Sequence, residues 1–319
     1  MRKSKIVVVG SINLDMVATV PRNPGPGETL TGSDFALVPG GKGANQAVAA
    51  AMLGRDLRVQ VQMIARHGTD GFEARLLEVL RAKSVDISRI TPADGPSGIA
   101  VILVAASGEN SIVVIPGANG RLCAADIQDN REAIEQAGIV LTQLETSLEA
   151  LLETLKIAGA AGTPVMLDPA PVCELPKHVF EQVAWLTPNE TEAAAITGSP
   201  APQGAGLKQY AERLLALRPE HVLLKLGAQG AYLATRAGIR EHIPGYVVQA
   251  IDTTAAGDAL NGALAAALMA GHDPVEAASF GVAAAALSVT RKGAIPSMAS
   301  LAEVEEFRKT HGPAGSRAG

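Results

Sequence analysis

Aromatic side chains and cysteines are both scarce in this chain of 319 residues. Phe, Trp and Tyr together make up 3% of the residues, so the core must be built from Ala, Val, Leu and Ile. Two cysteines, Cys123 and Cys173, are too few for a disulfide framework and favour a reducing compartment. The six histidines do not have the spacing of a zinc site.

Long hydrophobic runs and an excess of positive charge are missing as well. The apolar run Ile6–Val9 after the basic N-terminus is too short for a signal peptide, and no run reaches the roughly 20 residues of a membrane span. The net charge is −5, and no basic stripe accompanies it. These absences predict a cytoplasmic protein that binds neither membranes nor nucleic acids.

Short β-branched runs alternate with helical patterns along most of the chain. The predicted strands are Ile6–Gly10, Val59–Ile64, Ile139–Leu144, Val165–Leu167, Val183–Leu186 and Val222–Leu226. The predicted helices are Ala44–Leu53, Gly71–Ala82, Ser147–Ala160, Glu190–Thr197 and Leu207–Leu217, and the region Ala255–Thr290 is almost all helical. This alternation predicts an α/β fold with a Rossmann-like, mostly parallel central sheet and helices on both faces.

Two regions interrupt the alternation of strands and helices. One is Met16–Pro39, which is rich in Pro and Gly; the other is Gly98–Pro116, which predicts a hairpin. Four short strands in these regions could form a small separate sheet, and two ordinary surface hairpins are the alternative. The predicted organisation is one α/β domain over residues 1–310, with inserted segments at about 14–39 and 97–117 and a disordered tail at 311–319.

The stretch Asp252–Ala263 is the most informative part of the sequence, because a turn of small residues leads into an Ala-rich helix. The free backbone amides of Ala255, Ala256 and Gly257 at the helix N-terminus would attract an anion such as a phosphate. Asp258 lies in the same turn. It is either a proton acceptor or a helix cap, and the pattern leaves both roles open.

Three further stretches carry polar groups at expected strand ends or helix starts. Gly40–Ala47 is a second glycine turn before a helix, but it is neither a Walker A loop nor a dinucleotide fingerprint. Asn13 and Asp15 follow the first strand, at the sheet edge where α/β proteins bind ligands, and Glu145 follows another strand in the same way. Thr187–Glu192 provides good capping chemistry. Ordinary polar turns and helix starts remain the alternative for all of them.

Together these stretches resemble the ribokinase-like family of sugar and nucleoside kinases, from Ile6 to about Phe307. Gly40–Asn45 and Asp252–Asp258 look like the two family signatures, in the right order and spacing. Similarity to the ribokinase branch comes from Asn13 with Asp15, Gln143–Glu145, Thr187–Glu192 and Thr290–Ser297. The resemblance implies ATP-dependent phosphorylation of D-ribose at O5, giving ribose 5-phosphate. It also implies a small β-sheet lid that forms a homodimer contact.

The same resemblance implies roles for individual residues. Asp258 would be the general base, with the amides of Ala255, Ala256 and Gly257 as an anion hole. The sugar would be held by Asn13, Asp15, Gly41, Lys42, Gly43, Asn45, Glu145 and Asp258. ATP would lie among Asn189, Lys225, Gly227, Gly230, Ala256 and Gly257, while Glu192 would help to organise Mg²⁺ through water. A monovalent cation, usually K⁺, would be surrounded by Asp252, Thr254, Ser288, Arg291, Gly293 and Ser297.

Departures from the family pattern and alternative functions also follow from the sequence. Ala259 and Lys225 stand where hydroxylated residues are common, and Asp168 stands where Asn is common; none of these changes removes a catalytic group. A kinase of deoxyribose, another pentose or a nucleoside is one alternative, although Phe35 is the only aromatic in the lid segments to stack on a nucleobase. A catalytically silent sugar-sensing module is the other. For the cation site, the alternative is direct neutralisation of Asp252 by Arg291 or Lys292.

Overall fold

The computed structural model of the chain describes residues 4–107, 109–200 and 206–312. Residues 313–319 of the predicted disordered tail lie outside the described residues. The strands are β1 (Lys5–Val9), β2 (Asn13–Val20), β3 (Asp34–Gly40), β4 (Gln60–His67), β5 (Asp86–Pro92), β6 (Gly98–Ala105), β7 (Asn110–Ile115), β8 (Ile139–Thr142), β9 (Val165–Leu167), β10 (Trp185–Leu186), β11 (His221–Lys225), β12 (Gly230–Thr235) and β13 (Arg240–Pro244).

The α-helices alternate with these strands over most of the chain. They are α1 (Lys42–Leu57), α2 (Glu73–Ala82), α3 (Ala124–Asp129), α4 (Arg131–Gln136), α5 (Leu148–Ala161), α6 (Lys177–Phe180), α7 (Glu190–Thr197), α8 (Gly206–Leu215), α9 (Ala256–Ala270), α10 (Pro274–Ser288), α11 (Ala294–Ser297) and α12 (Leu301–Thr310). Among the described residues, no helix is long and apolar enough to cross a membrane.

The central sheet has nine strands in the order β13-β12-β11-β10-β9-β8-β1-β4-β5. The pairs from β5 to β11 are parallel, which confirms the predicted mostly parallel sheet. The sequence patterns did not predict that β12 and β13 pair antiparallel at one edge. Their connections, residues 226–229 and 236–239, are too short for a parallel crossover, so the chain can only turn back.

Helices cover both faces of the central sheet, as predicted, and each face has its own hydrophobic core. Ile6 and Val8 of β1 belong to the core packed against α1, α9 and α10. Val7 and Val9 point to the other core, which contains residues of α5 and α8. This division follows from the alternation of side chains along a strand, and it explains why both faces of β1 are apolar.

The predicted helical region 255–290 is confirmed and consists of two helices, α9 and α10. Gly271 ends α9 in the left-handed conformation with φ of 105°, and Asp273 caps α10 by accepting from the amides of Val275 and Glu276. Pro274 occupies the first turn of α10, where its missing N–H costs nothing. The two helices therefore pack side by side instead of extending in one line.

The two segments that interrupt the alternation form a separate four-stranded sheet, in the order β3-β2-β6-β7. The β2 strand pairs antiparallel with β3 and parallel with β6, and β6 forms the predicted hairpin with β7. The alternative of two independent surface hairpins is wrong, because β2 and β6 join the segments along eight residue pairs. We call these four strands the small sheet.

Candidate active site

The residues singled out by sequence meet where β1, β8 and β11 end and where α1 and α9 begin. The glycine turn before α1 lies directly against the loop after β1. At Gly41, which has φ of 91°, a Cβ atom would lie 2.7 Å from the amide nitrogen of Asn13, and at Gly43 it would lie 2.5 Å from that of Ser11. Both positions therefore require glycine, since any side chain would separate the two segments.

Glu145 is held between the loop after β1 and the glycine turn. Its Oε2 accepts hydrogen bonds from Ser11 Oγ at 2.5 Å and from the Lys42 amide at 3.0 Å, and the Gly43 amide donates to Ser11 Oγ at 3.2 Å. Ser11 was not among the predicted site residues. The signal was its place in the loop after β1, but short polar loops rarely reveal which side chain bridges two segments.

Asn13 and Glu145 line a cavity of about 280 Å³. The small sheet contributes Val114 to its wall, and the turn after β7 contributes Asn119. The Asn119 Nδ2 donates to Asn13 Oδ1 at 2.7 Å, and Asn119 Oδ1 accepts from the Ile12 amide at 2.9 Å. Asn119 orients Asn13, and sequence reasoning missed it because the two residues are 106 positions apart.

Asp15 lies on the small sheet, half-buried and close to Glu145. Burial, reinforced by the negative charge of Glu145, raises the pKa of Asp15 to about 7. A Cβ on Gly40 would come within 2.4 Å of Asp15 Oδ2, so a glycine on the neighbouring strand makes room for this carboxylate. Asp15 therefore titrates near neutral pH, unlike an ordinary surface aspartate.

Asp258 is buried in the first turn of α9. Its carboxylate accepts from Asn45 Nδ2 and from Gln46 Nε2, both at 3.0 Å, and both donors belong to α1. The turn before α9 has no side-chain cap, so the structure does not use Asp258 to cap this helix. Burial raises the pKa of Asp258 to about 6, although the positive charge of Lys42 opposes the shift.

The turn that precedes α9 presents backbone amides beside this carboxylate. Ala255 has φ of 60°, a left-handed conformation that a residue with a Cβ adopts at a cost of roughly 1–2 kcal/mol. The Ala256 amide makes a long bond of 3.3 Å to Thr253 O, and the amides of Ala255 and Gly257 have no acceptor among the described residues. The strained turn thus leaves the amides of Ala255 and Gly257 available for an anion, and it engages the Ala256 amide only through this long bond.

Gln46 connects several polar groups beneath the site, and sequence reasoning missed it. Its Nε2 donates to Asp258 Oδ1 and, at 2.9 Å, to Asp168 Oδ2, while its Oε1 accepts from Gln143 Nε2 at 2.8 Å. Asp168 Oδ1 in turn accepts from Lys225 Nζ at 2.8 Å. A glutamine near the start of a mostly buried helix gives no local sign that it will bridge two carboxylates.

Lys42 reaches the same group of acidic residues. Burial by itself lowers the pKa of Lys42, but the nearby carboxylates of Asp258, Asp168, Glu145 and Glu192 outweigh it and raise the pKa above its usual value. Lys42 therefore remains charged and reduces the mutual repulsion of these carboxylates.

A second cavity, of about 250 Å³, lies on the other side of the turn before α9. Gly227 and Gly230 form one wall, and Thr253 and Ala256 of the turn form another. The remaining wall is mostly apolar and comes from α9, α10 and the segment after β13. This cavity is separate from the one that Asn13 and Glu145 line.

Asn189 and Glu192 form a capping box at the start of α7. Each residue's side chain accepts from the other's backbone amide at 2.8 Å, and Asn189 Nδ2 also donates to Glu192 Oε1 at 2.8 Å. Burial raises the pKa of Glu192, and the charge of Lys225 opposes that shift. Glu192 thus has a structural role at the helix start, and its charge also acts on the site.

Asp252 joins the turn before α9 to the end of α10. Its Oδ1 accepts from the Thr254 amide at 2.9 Å and its Oδ2 from the Gly293 amide at 2.8 Å. Burial acts to raise the pKa of Asp252, but these hydrogen bonds and the charge of Lys292 outweigh it and lower the pKa. Arg291 pairs instead with Glu303 at 2.8 Å, so it does not neutralise Asp252 directly.

Of the predicted cation residues, Thr254 and Gly293 contact Asp252 through their backbone amides. Ser288 is the last residue of α10, Arg291 lies in the turn that follows it, and Ser297 ends α11 with its side chain buried. Carboxylate, hydroxyl and carbonyl oxygens are the donors that a hard cation prefers, so the residue types fit such an ion. Among the described residues, no group of three or more His, Cys, Asp or Glu side chains is placed to hold a metal ion.

Comparison with known proteins places this arrangement in a family. The family model described as "pfkB family carbohydrate kinase" matches residues 3–301. The chain belongs to the pfkB family of carbohydrate kinases. Two curated relatives named ribokinase, from Haemophilus influenzae and Staphylococcus aureus, are 41% and 38% identical to it. The alignments cover 96% and 95% of this chain and 99% of each relative.

The fold of this pfkB kinase also matches solved structures. A structure of Arabidopsis thaliana ribokinase complexed with ribose and ATP superposes with a TM-score of 0.89 at 32% identity, covering 96% of this chain and 99% of the other. The three residues that depart from the family pattern have two different environments. Ala259 packs into the core, whereas Lys225 and Asp168 pair with each other beside the turn before α9.

Proposed function

We propose that this chain transfers the terminal phosphoryl group of ATP to O5 of D-ribose, giving D-ribose 5-phosphate and ADP. The observation that carries the proposal is Asp258, a buried carboxylate at the start of α9, where the backbone amides of Ala255 and Gly257 have no acceptor among the described residues. A base next to an anion site suits phosphoryl transfer to a hydroxyl. The names of the curated relatives and the ribose and ATP in the Arabidopsis structure support the choice of substrates.

The sugar would occupy the 280 Å³ cavity next to the glycine turn. Asn13, Asp15 and Glu145 offer acceptors and donors to adjacent hydroxyls, with Gly41 and Gly43 permitting close approach of the backbone. Asn45 Oδ1 is buried and has no hydrogen-bond partner within the described part of the chain, which leaves an acceptor for a hydroxyl near Asp258. Lys42 would also lie near the sugar and offset the negative charge of the nearby carboxylates.

In the reaction, Asp258 would accept the proton of the attacking hydroxyl as its oxygen bonds to phosphorus. With a pKa of about 6, Asp258 is still mostly ionised at neutral pH, and it is more basic than a surface aspartate. The amides of Ala255, Ala256 and Gly257 would stabilise the charge on the transferring group. Mg²⁺, organised through water by Glu192, would neutralise phosphate charge when bound.

The base and sugar of ATP would occupy the 250 Å³ cavity, between Gly227, Gly230 and the apolar wall of α9 and α10. Its lining is weakly polar, which suits the face of an adenine ring. Asn189 and Lys225 would lie on the phosphate side. We also propose that Asp252, Thr254, Ser288, Arg291, Gly293 and Ser297 bind K⁺ and thereby fix the turn before α9.

The small sheet would act as a lid and as a dimer contact. It reaches the sugar cavity through Val114 and carries Asp15, so closure over the sugar would exclude water. Exposed apolar side chains on the sheet favour its burial against a second copy of the chain. In this organisation residues 1–310 form one kinase domain with two inserted lid segments, at about 14–39 and 97–117.

A coupled ADP-release assay with D-ribose, 2-deoxyribose, other pentoses and nucleosides tests the proposal. D-ribose should give the highest kcat/KM, because a sugar without a hydroxyl leaves buried polar groups of the cavity unpaired. Equal kcat/KM for ribose and 2-deoxyribose would refute the assignment to ribose. Adenosine as the best acceptor would make the chain a nucleoside kinase, and sugar binding without ADP release would make it a sugar sensor.

A further inference from the structure

Lys225 and Asp168, which both depart from the family pattern, compensate each other as an ion pair. Lys225 Nζ lies 2.8 Å from Asp168 Oδ1, and the two side chains are 11% and 2% exposed. Lys225 ends β11 and Asp168 follows β9, so the pair spans the end of β10 between them. A buried charge is costly alone, which explains why the two charged residues occur together.

The ammonium group of Lys225 lies against the turn that precedes α9. A Cβ placed on Gly257 would be 3.2 Å from Lys225 Nζ and 3.7 Å from its Cδ. The glycine therefore leaves this cation beside the amides that the turn presents. The charge of Lys225 also opposes the rise in the pKa of Glu192, the residue proposed to organise Mg²⁺.

We propose that Lys225 binds the terminal phosphoryl group of ATP and that Asp168 is a positioning residue which holds its ammonium beside the turn. The ion pair has no net charge, but it directs its positively charged end to the turn before α9, which a neutral pair of residues could not do. Charge neutralisation is the main contribution of a protein to phosphoryl transfer, and it is stronger at a buried site. The flexible stem of lysine lets the ammonium contact a phosphate without breaking its pair with Asp168.

Asp168 is suited to this positioning role because its second oxygen is also occupied. Oδ2 accepts from Gln46, whose amide donates to Asp258 as well. Asp168 is thus fixed on one side by the helix that supports the proposed base and on the other by Lys225. The inference rests on the proposed function, because it assigns the phosphoryl contact of that same site.

Isothermal titration calorimetry with the intact chain and Mg²⁺ tests this assignment, using β,γ-imido ATP and ADP as probes. The variants are Lys225→Met, the family-like pair Lys225→Thr with Asp168→Asn, and the exposed control Lys309→Met. Lys225→Met should lose about tenfold or more in affinity for the ATP analogue, because a charge-assisted contact is removed, and clearly less for ADP. The control should match the unmodified chain for both nucleotides.

The double variant separates a phosphate contact from a purely structural ion pair. It leaves no unpaired buried charge, so its Tm should return to that of the unmodified chain, which Lys225→Met lowers. Its affinity for the ATP analogue should nevertheless remain selectively reduced. Full recovery of that affinity, or equal losses for the analogue and ADP, would overturn the inference. If no sugar accepts phosphate but Lys225→Met selectively loses affinity for the ATP analogue, the proposed function is wrong while the phosphate contact of Lys225 stands.

Discussion

Burial sets the chemistry of the single side chains at this site. Asp258 and Asp15 carry the same functional group as surface aspartates, but their pKa values are about 6 and about 7 because both are removed from water. Lys42 remains charged among four carboxylates. One cation near several acids with separated pKa values is a common arrangement where proton transfer takes place.

The variant Asp258→Asn tests the proposed base. The amide preserves the shape of the side chain but cannot take up a proton, so kcat should fall by about 10²–10⁴-fold. Affinity for ribose and ATP, measured by calorimetry, should change little. A variant that retains more than about half of the original kcat would show that Asp258 is not the base.

The pH dependence of kcat/KM for ribose should report both aspartates in the free enzyme. Asp258 acts only when ionised, so activity should rise with pH through about 6, and ionisation of Asp15 near 7 should steepen the rise. In Asp15→Asn, kcat/KM should still rise near pH 6, with the slope expected for a single titrating group. A flat profile between about pH 5 and about pH 8 would contradict the assignment.

Two helices bring the reacting groups together. α1 carries Asn45 and Gln46, α9 carries Asp258, and their axes approach closely at Gly262. A Cβ on Gly262 would lie 2.5 Å from Ala49 Cβ and 2.7 Å from the Ala50 amide nitrogen. The position of the carboxylate relative to its two donors therefore depends on a contact one turn away in α9.

Substitution Gly262→Ala should push α9 away from α1. We expect the free energy of unfolding to fall by about 1–3 kcal/mol, as in other overpacked cores, and kcat to fall although residue 262 contacts no substrate. The control is Gly159→Ala in α5, where no atom lies within 4 Å of the added Cβ. Alanine there should stabilise the chain by about 0.5–1 kcal/mol and leave kcat unchanged. Denaturant titration and steady-state kinetics of both variants measure these effects.

The turn between Asp252 and α9 should respond to a monovalent cation. Its amides must stay aligned while the phosphoryl group develops charge, and a K⁺ ion bound to oxygen donors would hold the turn in place. At fixed Mg²⁺ and matched ionic strength, kcat should be higher in KCl than in tetramethylammonium chloride, with NaCl as a third condition. Stimulation should disappear in Asp252→Ala, and identical rates in all three salts would reject the cation site.

The molecule as a whole exposes an unusual amount of apolar surface on its small sheet. Phe35, Val101, Val113 and Ile115 share one face of that sheet according to its register, and Ile112 and Val114 lie on the other; all six are exposed. Such a surface is expected to be covered by another protein surface. The proposed homodimer would cover these apolar side chains and keep the small sheet over the sugar cavity.

Sedimentation equilibrium should therefore give a mass of twice 32.7 kDa. Replacing Ile112 and Val113 together by Lys places a charge on each face of β7 and should yield monomers with a raised KM for ribose. Leu148→Lys, at an exposed apolar position on α5, serves as the control and should remain dimeric. A monomeric unmodified chain would reject the dimer.

Local patterns in the sequence predicted much of this architecture. Strand and helix periods predicted the central sheet, and two glycine turns before helices marked the future starts of α1 and α9. These signals are local, because side-chain periodicity and φ preferences act within a few residues. The antiparallel pairing of β12 and β13 was not predicted, although their short connections leave no room for a parallel crossover.

The contacts that give the site its chemistry join positions far apart in the chain, so no local pattern contains them. Asn119 reaches Asn13 over 106 residues, Gln46 reaches Asp258 over 212, and Lys225 reaches Asp168 over 57. Local patterns named most of the reactive groups, yet they left open whether Asp258 caps its helix and whether Lys225 and Asp168 belong together. Strand register and burial settle such questions, because they determine which charges become neighbours once water is removed.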